Sequence, residues 1–139
     1  KYQNPVLALD RVPRKLVSRY GIVGVKKISN RTFRVTNMIE KPTIKEAPSN
    51  LVSRGKYIYT PELLDLLAVM KPGPGGELYQ TGAFQLYLKQ GGEVYGYEYE
   101  GILLDCGEKL GFAKAMVQVG LKHAEIGKAF RRYLKKLDI

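Results

Sequence analysis

The sequence has few of the residues from which disulfides, zinc clusters and histidine-based catalytic sites are built. Its 139 residues include one histidine, His123, and one cysteine, Cys106. One cysteine excludes an internal disulfide, and the two side chains together are too few for a zinc site of histidine and cysteine ligands. Serine-hydrolase chemistry is not expected either, because no Gly-x-Ser-x-Gly turn accompanies the one candidate base.

Long apolar runs are also absent from the sequence. No stretch reaches the roughly 18 to 20 unbroken apolar residues that a membrane helix needs, and the first residues, 1–5, have no signal-peptide core. We therefore expect no membrane partner and a cytoplasmic location, and a single cysteine agrees with a reducing compartment. The first residue is Lys1 and not Met, which predicts that the natural polypeptide begins earlier.

Acidic residues are few relative to basic ones. The sequence has 23 lysines and arginines against 13 aspartates and glutamates, which gives a net charge of +10 and an isoelectric point near 9.7. Such a balance favours anionic partners, among them nucleotides, sugar phosphates, nucleic acids and acidic membranes. Charge alone does not choose among these partners.

Short apolar runs alternate with helical patterns along the whole chain. The patterns predict strands at 6–9, 21–28, 33–39, 54–59, 94–99 and 102–104. They predict helices at 13–20, from 60 onward, and at 78–88, 109–123 and 126–137. Strands mixed with helices throughout predict an α/β fold with a mixed sheet covered by helices. We see no domain boundary, so residues 1–139 are expected to form a single unit that ends in the helices of 109–137.

A carboxylate and an ammonium stand side by side after the apolar pair Met38–Ile39. A strand ending there would carry Glu40 and Lys41 to the edge of a sheet. That pair suits a sugar phosphate, because a carboxylate accepts hydrogen bonds from hydroxyls and a lysine neutralises phosphate as a compact charge. The alternative is a solvated strand end before the turn at Pro42.

Six segments, in order over nearly the whole chain, resemble the C-terminal half of the bacterial UTP:glucose-1-phosphate uridylyltransferases, which are sugar nucleotidyltransferases. Each segment alone is a weak signal, but six in sequence with similar spacing are specific. They are Tyr20–Val23, Glu40–Pro42, Ala47–Leu51, Gly55–Tyr57 with Thr60–Glu62, Pro72–Glu77, and Asp105–Gly111. The resemblance implies the C-terminal part of a Rossmann-like nucleotide-diphospho-sugar transferase fold.

The resemblance also implies an enzyme that transfers UMP from UTP to glucose 1-phosphate with Mg²⁺. Glu40 would bind sugar hydroxyls, Lys41 the sugar phosphate, and the backbone of Gly21 would lie close to the glucose. Asp105 would lie near the metal and the phosphates, so that Lys41 and Asp105 are the expected catalytic residues. UTP and glucose 1-phosphate are the expected substrates, and a homo-oligomer is the expected assembly. Asp105 has a structural alternative, which is to cap the helix after Gly107.

Two departures from the family pattern affect these expectations. Gly82 stands where family members usually have Asp, and that Asp could be a helix cap or first-turn acid worth up to about 1 kcal/mol. The glycine-rich loop that carries Arg and Lys for the nucleotide phosphates is absent, as is the first metal-binding Asp. We therefore expect this chain alone to be inactive.

Two other functions remain open from the sequence. One is a non-catalytic sugar-phosphate-binding or assembly module. The other is a basic nucleic-acid-binding domain, because cations on one helix can follow a phosphate backbone. The C-terminal cations in question are Lys122, Lys128, Arg131, Arg132, Lys135 and Lys136. Apolar residues recur between them at helical spacing, so a solvated helix face is the preferred interpretation and nucleic acid is not the expected partner.

Overall fold

The computed structural model describes residues 3–72, 76–102 and 104–137. The chain divides into two compact units, residues 1–100 and residues 101–139. Each unit is described by itself. That residues 1–139 act as one sugar-phosphate-binding half stays a prediction.

Five strands form the sheet of the first unit. They are β1 (Val6–Arg11), β2 (Gly21–Lys27), β3 (Thr32–Glu40), β4 (Leu51–Ile58) and β5 (Val94–Glu98). The strands close into a ring in the order β1-β4-β2-β3-β5. The pair β1–β5 is parallel and the other pairs are antiparallel, so the sheet is mixed as the sequence predicted.

The β2–β3 hairpin contains a bulge that decides which side chains face the core. The register runs from Gly21 opposite Glu40 to Gly24 opposite Asn37, then shifts so that Val25 lies opposite Val35. An extra residue on one strand reverses the alternation of its side chains between the two faces of the sheet. Before the bulge β3 buries Phe33 and Val35, and after it β3 buries Met38. Glu40, two residues beyond Met38, therefore shares its face.

Two helices and one 3₁₀ helix accompany this sheet. The 3₁₀ helix spans Arg14–Arg19, α1 spans Pro61–Val69 and α2 spans Gln80–Lys89. Thr60 precedes α1 as its N-cap residue and Pro61 is its first residue, as the sequence predicted. Both α-helices contribute to the main core, and complete burial of a large apolar side chain stabilises the fold by about 1.5–3 kcal/mol. The largest buried members of that core are Phe84, Leu7, Leu9, Met38, Leu51 and Leu63.

The second unit contains α3 (Lys109–Lys122) and α4 (Gly127–Leu134). A Cβ atom on Gly120 would lie 2.7 Å from Cε1 of Phe130, so the missing side chain lets the Phe130 ring pack on α3. A Cβ on Gly127 would lie 2.7 Å from the carbonyl oxygen of Leu121. The start of α4 therefore packs directly against the backbone at the end of α3.

One predicted strand is wrong. Neither Ile102 nor Leu104 is in a strand, Ile102 is 63% exposed, and Leu103 lies outside the described residues. The predicted loop at 71–76 is described only in part, because residues 73–75 also lie outside. Across residues 3–72, 76–102 and 104–137, no helix combines the length and the apolarity that crossing a membrane requires.

Candidate functional site

The β2–β3 hairpin places Gly21 and Glu40 directly opposite each other. The backbone N–H of Lys41 donates to the carbonyl of Tyr20 at 3.1 Å, which extends the pairing by one residue. The Glu40 side chain is half-buried and the Lys41 side chain is exposed. The structure thus brings together three of the four residues selected from the sequence, all in the first unit.

A buried hydroxyl from α2 contacts the Glu40 carboxylate. Thr81 is only 8% exposed, and its Oγ1 donates to Oε2 of Glu40 at 3.2 Å. A Cβ on Gly21 would lie 2.9 Å from Cγ2 of Thr81 and 3.0 Å from Oε2 of Glu40. The bare backbone of Gly21 therefore packs against both side chains, and a larger residue there would displace the carboxylate.

The backbone of Lys41 is strained. Its φ angle is +44°, in the left-handed region where a residue with a Cβ pays roughly 1–2 kcal/mol. Nζ of Lys41 lies 5.3 Å from the centroid of the Tyr79 ring, a cation–π distance. Strain of this kind at a charged residue is a feature of ligand-binding sites, where the surroundings hold the residue in place.

Tyr79 connects this cation to a small cavity of about 210 Å³. A hydrogen bond with Glu77, together with partial burial and the charges of Glu77 and Glu40, raises the pKa of the Tyr79 phenol above its ordinary value. The Tyr79 hydroxyl is therefore engaged with Glu77 at the rim of the site. The cavity is lined by Glu40, Met70, Lys71, Tyr79, Thr81, Gly82 and Gln85.

The guanidinium of Arg14 holds the loop that follows Lys41. Arg14 donates to the carbonyls of Ser49 at 3.0 Å, and of Ile44 and Ala47 at 2.9 Å. Oγ of Ser49 donates to the carbonyl of Val23 at 2.6 Å. The segment Ala47–Leu51, which carried part of the family resemblance, therefore attaches the loop to β2.

Asp105, the fourth selected residue, belongs to the second unit and its side chain is exposed. Its Oδ1 accepts the N–H of Gly107 at 3.0 Å. Helix α3 has Glu108 as its N-cap residue, so Asp105 closes the turn before the helix and does not occupy the cap position. A Cβ on Gly111 would lie 1.9 Å from the Asp105 carbonyl oxygen, so this backbone rests on α3 where the helix has no side chain.

Metal ligands are sparse in the part of the chain that the structure describes. Within residues 3–72, 76–102 and 104–137, no three His, Cys, Asp or Glu side chains come together as a metal site. Magnesium needs less than such a cluster, because it commonly takes one or two carboxylates together with substrate phosphates and water. The exposed carboxylate of Asp105 fits the role of a single protein ligand of that kind.

Sequence reasoning missed four residues around Glu40. Thr81, Tyr79 and Lys71 line the cavity beside it, and Nε2 of Gln85 donates to the Met38 carbonyl. Thr81 and Tyr79 lie within the run 76–83 that was compared with the family pattern. Their partnership with Glu40 was not visible, because it depends on packing between β3 and α2.

Comparisons with known proteins identify the family of this chain. The sequence profile of the family described as nucleotidyl transferase matches residues 1–121. The chain belongs to the nucleotidyl transferase family. Among the relatives of this nucleotidyl transferase chain is the UTP–glucose-1-phosphate uridylyltransferase of Staphylococcus epidermidis. It is 36% identical over 135 residues, which are 96% of this chain and 46% of that protein.

Two solved structures show the same fold. UTP-bound UDP-glucose pyrophosphorylase from Acinetobacter baumannii superposes with a TM-score of 0.83 at 32% identity, covering 98% of this chain and 46% of its own. A UDP-glucose pyrophosphorylase in complex with UDP-glucose gives a TM-score of 0.76 at 30% identity, covering 99% of this chain and 46% of its own. The family resemblance and the predicted fold class are thereby confirmed. This nucleotidyl transferase chain spans about half the length of the proteins it matches.

Proposed function

We propose that the chain supplies the sugar-phosphate side of a site at which UMP passes from UTP to glucose 1-phosphate. In this reaction a phosphate oxygen of the sugar attacks the α-phosphorus of UTP, the bond to the β-phosphate breaks, and UDP-glucose and pyrophosphate result. The observation that carries the proposal is the joint placement of Glu40 and Lys41 opposite Gly21, with Thr81 beneath the carboxylate. The names and bound ligands of the relatives support the choice of substrates.

The sugar would be held by Glu40. Its carboxylate accepts hydrogen bonds, and the donation from Thr81 occupies one oxygen and fixes the orientation of the other. The cavity of about 210 Å³ is smaller than the roughly 300–1,000 Å³ typical of sites for drug-sized ligands. A single sugar ring suits a cavity of this size, and Gly21 would contribute by letting Thr81 and the Glu40 carboxylate pack against its bare backbone.

The sugar phosphate would be bound by Lys41. Attack of one phosphate on the phosphorus of another depends on charge neutralisation and alignment more than on a proton-transfer residue. Lys41 supplies a compact positive charge directly beside the carboxylate that holds the sugar, and Tyr79 packs against it. Lys71, which lines the same cavity, is a second cation for the phosphate.

Magnesium would bind Asp105 together with oxygens of the substrate phosphates. When bound, the ion would supply further neutralisation of phosphate charge. The chain alone is expected to be inactive, since the nucleotide loop and the first metal-binding Asp of the family pattern are absent from it. The cytoplasmic location and the homo-oligomeric state expected from the sequence stay predictions.

Calorimetric titration of the chain with glucose 1-phosphate tests the sugar-phosphate site directly. Lys41→Gln should weaken binding about tenfold or more, the loss expected for one charge-assisted contact. Glu40→Gln should weaken glucose 1-phosphate and leave inorganic phosphate unchanged. Lys45→Gln is the matched control, because this lysine is exposed like Lys41, but Lys41 is the one that adjoins Glu40 and contacts the Tyr79 ring. Equal losses from Lys41→Gln and Lys45→Gln would remove the phosphate site from Lys41.

Release of pyrophosphate from UTP, glucose 1-phosphate and Mg²⁺ tests the reaction. We expect none from residues 1–139 alone, and turnover from the complete natural polypeptide that Lys41→Gln sharply reduces. Turnover by the chain alone would show that the missing nucleotide loop is not required. A complete polypeptide that binds glucose 1-phosphate and releases no pyrophosphate would support the non-catalytic module instead.

A further inference from the structure

A second cavity lies within the second unit, at the junction of α3 and α4, and has a volume of about 510 Å³. We call it the α3–α4 cavity. Its described polar lining comes from the exposed side chains of His123, Lys128, Arg131 and Arg132, and no carboxylate of residues 104–137 lines it. The contact between Gly127 and the Leu121 carbonyl fixes the backbone on one side of it.

The three cations of this cavity repel one another. Lys128, Arg131 and Arg132 stand at positions i, i+3 and i+4 of α4, so they share one face of the helix. Within residues 104–137 none of them makes an ion pair with a carboxylate. Like charges at this spacing destabilise a helix, and no ion pair within residues 104–137 offsets this repulsion.

The position of Lys128 increases this electrostatic cost. Lys128 is the second residue of α4, and the first turn of that helix contains no acidic residue. The N-terminal end of a helix carries partial positive charge, so acids are favoured there and cations are disfavoured. The three cations thus violate both the spacing rule for like charges and the preference for acids at a helix N-terminus, which points to a functional reason for them.

His123 adds a hydrogen-bond donor to the same cavity. Its Nδ1 accepts the backbone N–H of Glu125 at 3.3 Å. In the neutral imidazole the proton is therefore on Nε2, which is available to donate to a ligand. The described lining thus combines three positive charges with one further hydrogen-bond donor.

We propose that the α3–α4 cavity binds a small anion that contains two or more linked phosphates. Two neighbouring guanidiniums can each hold phosphate oxygens through two hydrogen bonds, and Lys128 adds a point charge. A bound polyanion relieves the repulsion along α4. A small ligand is favoured over nucleic acid because these cations line a concave site, whereas Lys122, Lys135 and Lys136 do not line it.

Titration of the chain with inorganic pyrophosphate at constant ionic strength tests this site, followed by amide chemical shifts in NMR. Shifts at His123, Gly127 and Lys128 should report this site, independently of any shifts at Gly21 and Glu40, where the phosphate site proposed for Lys41 can take up the same anion. The double variant Lys128→Gln/Arg131→Gln should weaken binding at least about tenfold. A parallel titration with ADP identifies the source of the phosphates, because tighter ADP binding indicates a nucleotide and equal binding an inorganic anion.

The matched control is Lys135→Gln/Lys136→Gln, which removes the same charge from the C-terminal segment beyond α4. It should weaken pyrophosphate binding less than Lys128→Gln/Arg131→Gln does, because Lys135 and Lys136 do not line the cavity. Thermal melts of both double variants establish that each is folded. Equal losses from the two double variants would overturn the proposal, as would absence of shifts at His123 and Lys128. Tight binding of a DNA duplex, weakened equally by both double variants, would instead support the nucleic-acid alternative.

Discussion

Thr81 donates from Oγ1 to Oε2 of Glu40, and this 3.2 Å hydrogen bond joins helix α2 to the last residue of β3. Thr81, which supplies the donor, is buried, with only 8% of its surface exposed. Buried hydrogen bonds to charged acceptors are worth about 1.5–3 kcal/mol. The carboxylate of Glu40 is therefore oriented by a residue from another element of the first unit.

Replacing the Thr81 hydroxyl should free the Glu40 carboxylate from its fixed orientation and so weaken its contact with the sugar. We expect Thr81→Val, which has nearly the same shape, to weaken glucose 1-phosphate about tenfold through the freed Glu40 side chain. Thr81→Ser keeps the hydroxyl and should bind close to the unaltered chain. Calorimetry with glucose 1-phosphate and with inorganic phosphate separates the sugar effect from the phosphate effect. A similar loss for both ligands in Thr81→Val would show general damage to the fold.

Replacing Lys41 with glycine should stabilise the fold and weaken ligand binding. Glycine adopts a φ angle of +44° without the steric penalty that a Cβ atom causes. Relief of this penalty outweighs the larger loss of backbone entropy that glycine undergoes on folding. We expect Lys41→Gly to raise the free energy of unfolding by up to about 1 kcal/mol and to abolish glucose 1-phosphate binding. Urea denaturation measures the first effect and calorimetry the second. Lys45→Gly, at a position without a positive φ, should not be stabilising, and a gain there would refute the strain argument.

The family aspartate should be tolerated at position 82. Gly82 is the third residue of α2, so an acid there lies in the first turn and not at the cap, which is Tyr79. Gly82→Asp should stabilise the fold by about 1 kcal/mol, since it removes a helical glycine and adds a favourable charge. The new Cβ would meet Cε of Met70 at 2.7 Å, and that flexible chain end can move.

Thermal melting checks this expectation, with a rise of about 4–8 °C per kcal/mol for a domain of this size. Gly82→Ala is the control, because it removes the helical glycine without adding a charge, and helix propensity alone should give it a gain of about 1 kcal/mol. Stabilisation by Ala combined with destabilisation by Asp would mean that the new carboxylate is repelled by Glu40 across the cavity.

Glu46 should show a depressed titration that depends on Thr43. The Thr43 hydroxyl and then its backbone N–H donate to the Glu46 carboxylate, at 2.7 and 3.1 Å, and they lower its pKa below 4.5. A pKa lowered by folding gives stability that is present above the unfolded value and is lost as the pH falls through the folded value. Thr43→Val should therefore raise the Glu46 pKa in a carboxyl NMR titration. The pKa of Glu62, also lowered but by contacts around Thr60, should not move.

The sequence predicted much of the fold because most elements have long, regular patterns. The β2–β3 hairpin, both helices of the second unit and the Pro61 start of α1 are confirmed. The predicted strand at 102–104 failed because three apolar residues are too few to show a period. Strand β4 begins at Leu51 and not at 54, because its first two residues, Leu51 and Val52, are both buried and show no alternation.

The site was predictable only where neighbours in sequence are also neighbours in space. Glu40 and Lys41 are adjacent in the chain, and the hairpin brings Gly21 to them. Thr81 lies 41 residues from Glu40, so no local sequence pattern predicts the hydrogen bond between them. The roles of all four selected residues stay predictions.

The closure of the sheet has a mechanical consequence for the site. In the described part of the first unit, β2 meets β4 only at Ile22 and Val52, whereas β2 and β3 pair along their whole length. Few backbone hydrogen bonds therefore close the ring at this seam, and the buried side chains of Ile22 and Val52 hold it through a shared core. Along the hairpin the backbone itself fixes the pairing, so Gly21 and Glu40 keep their relative position whatever happens at the seam.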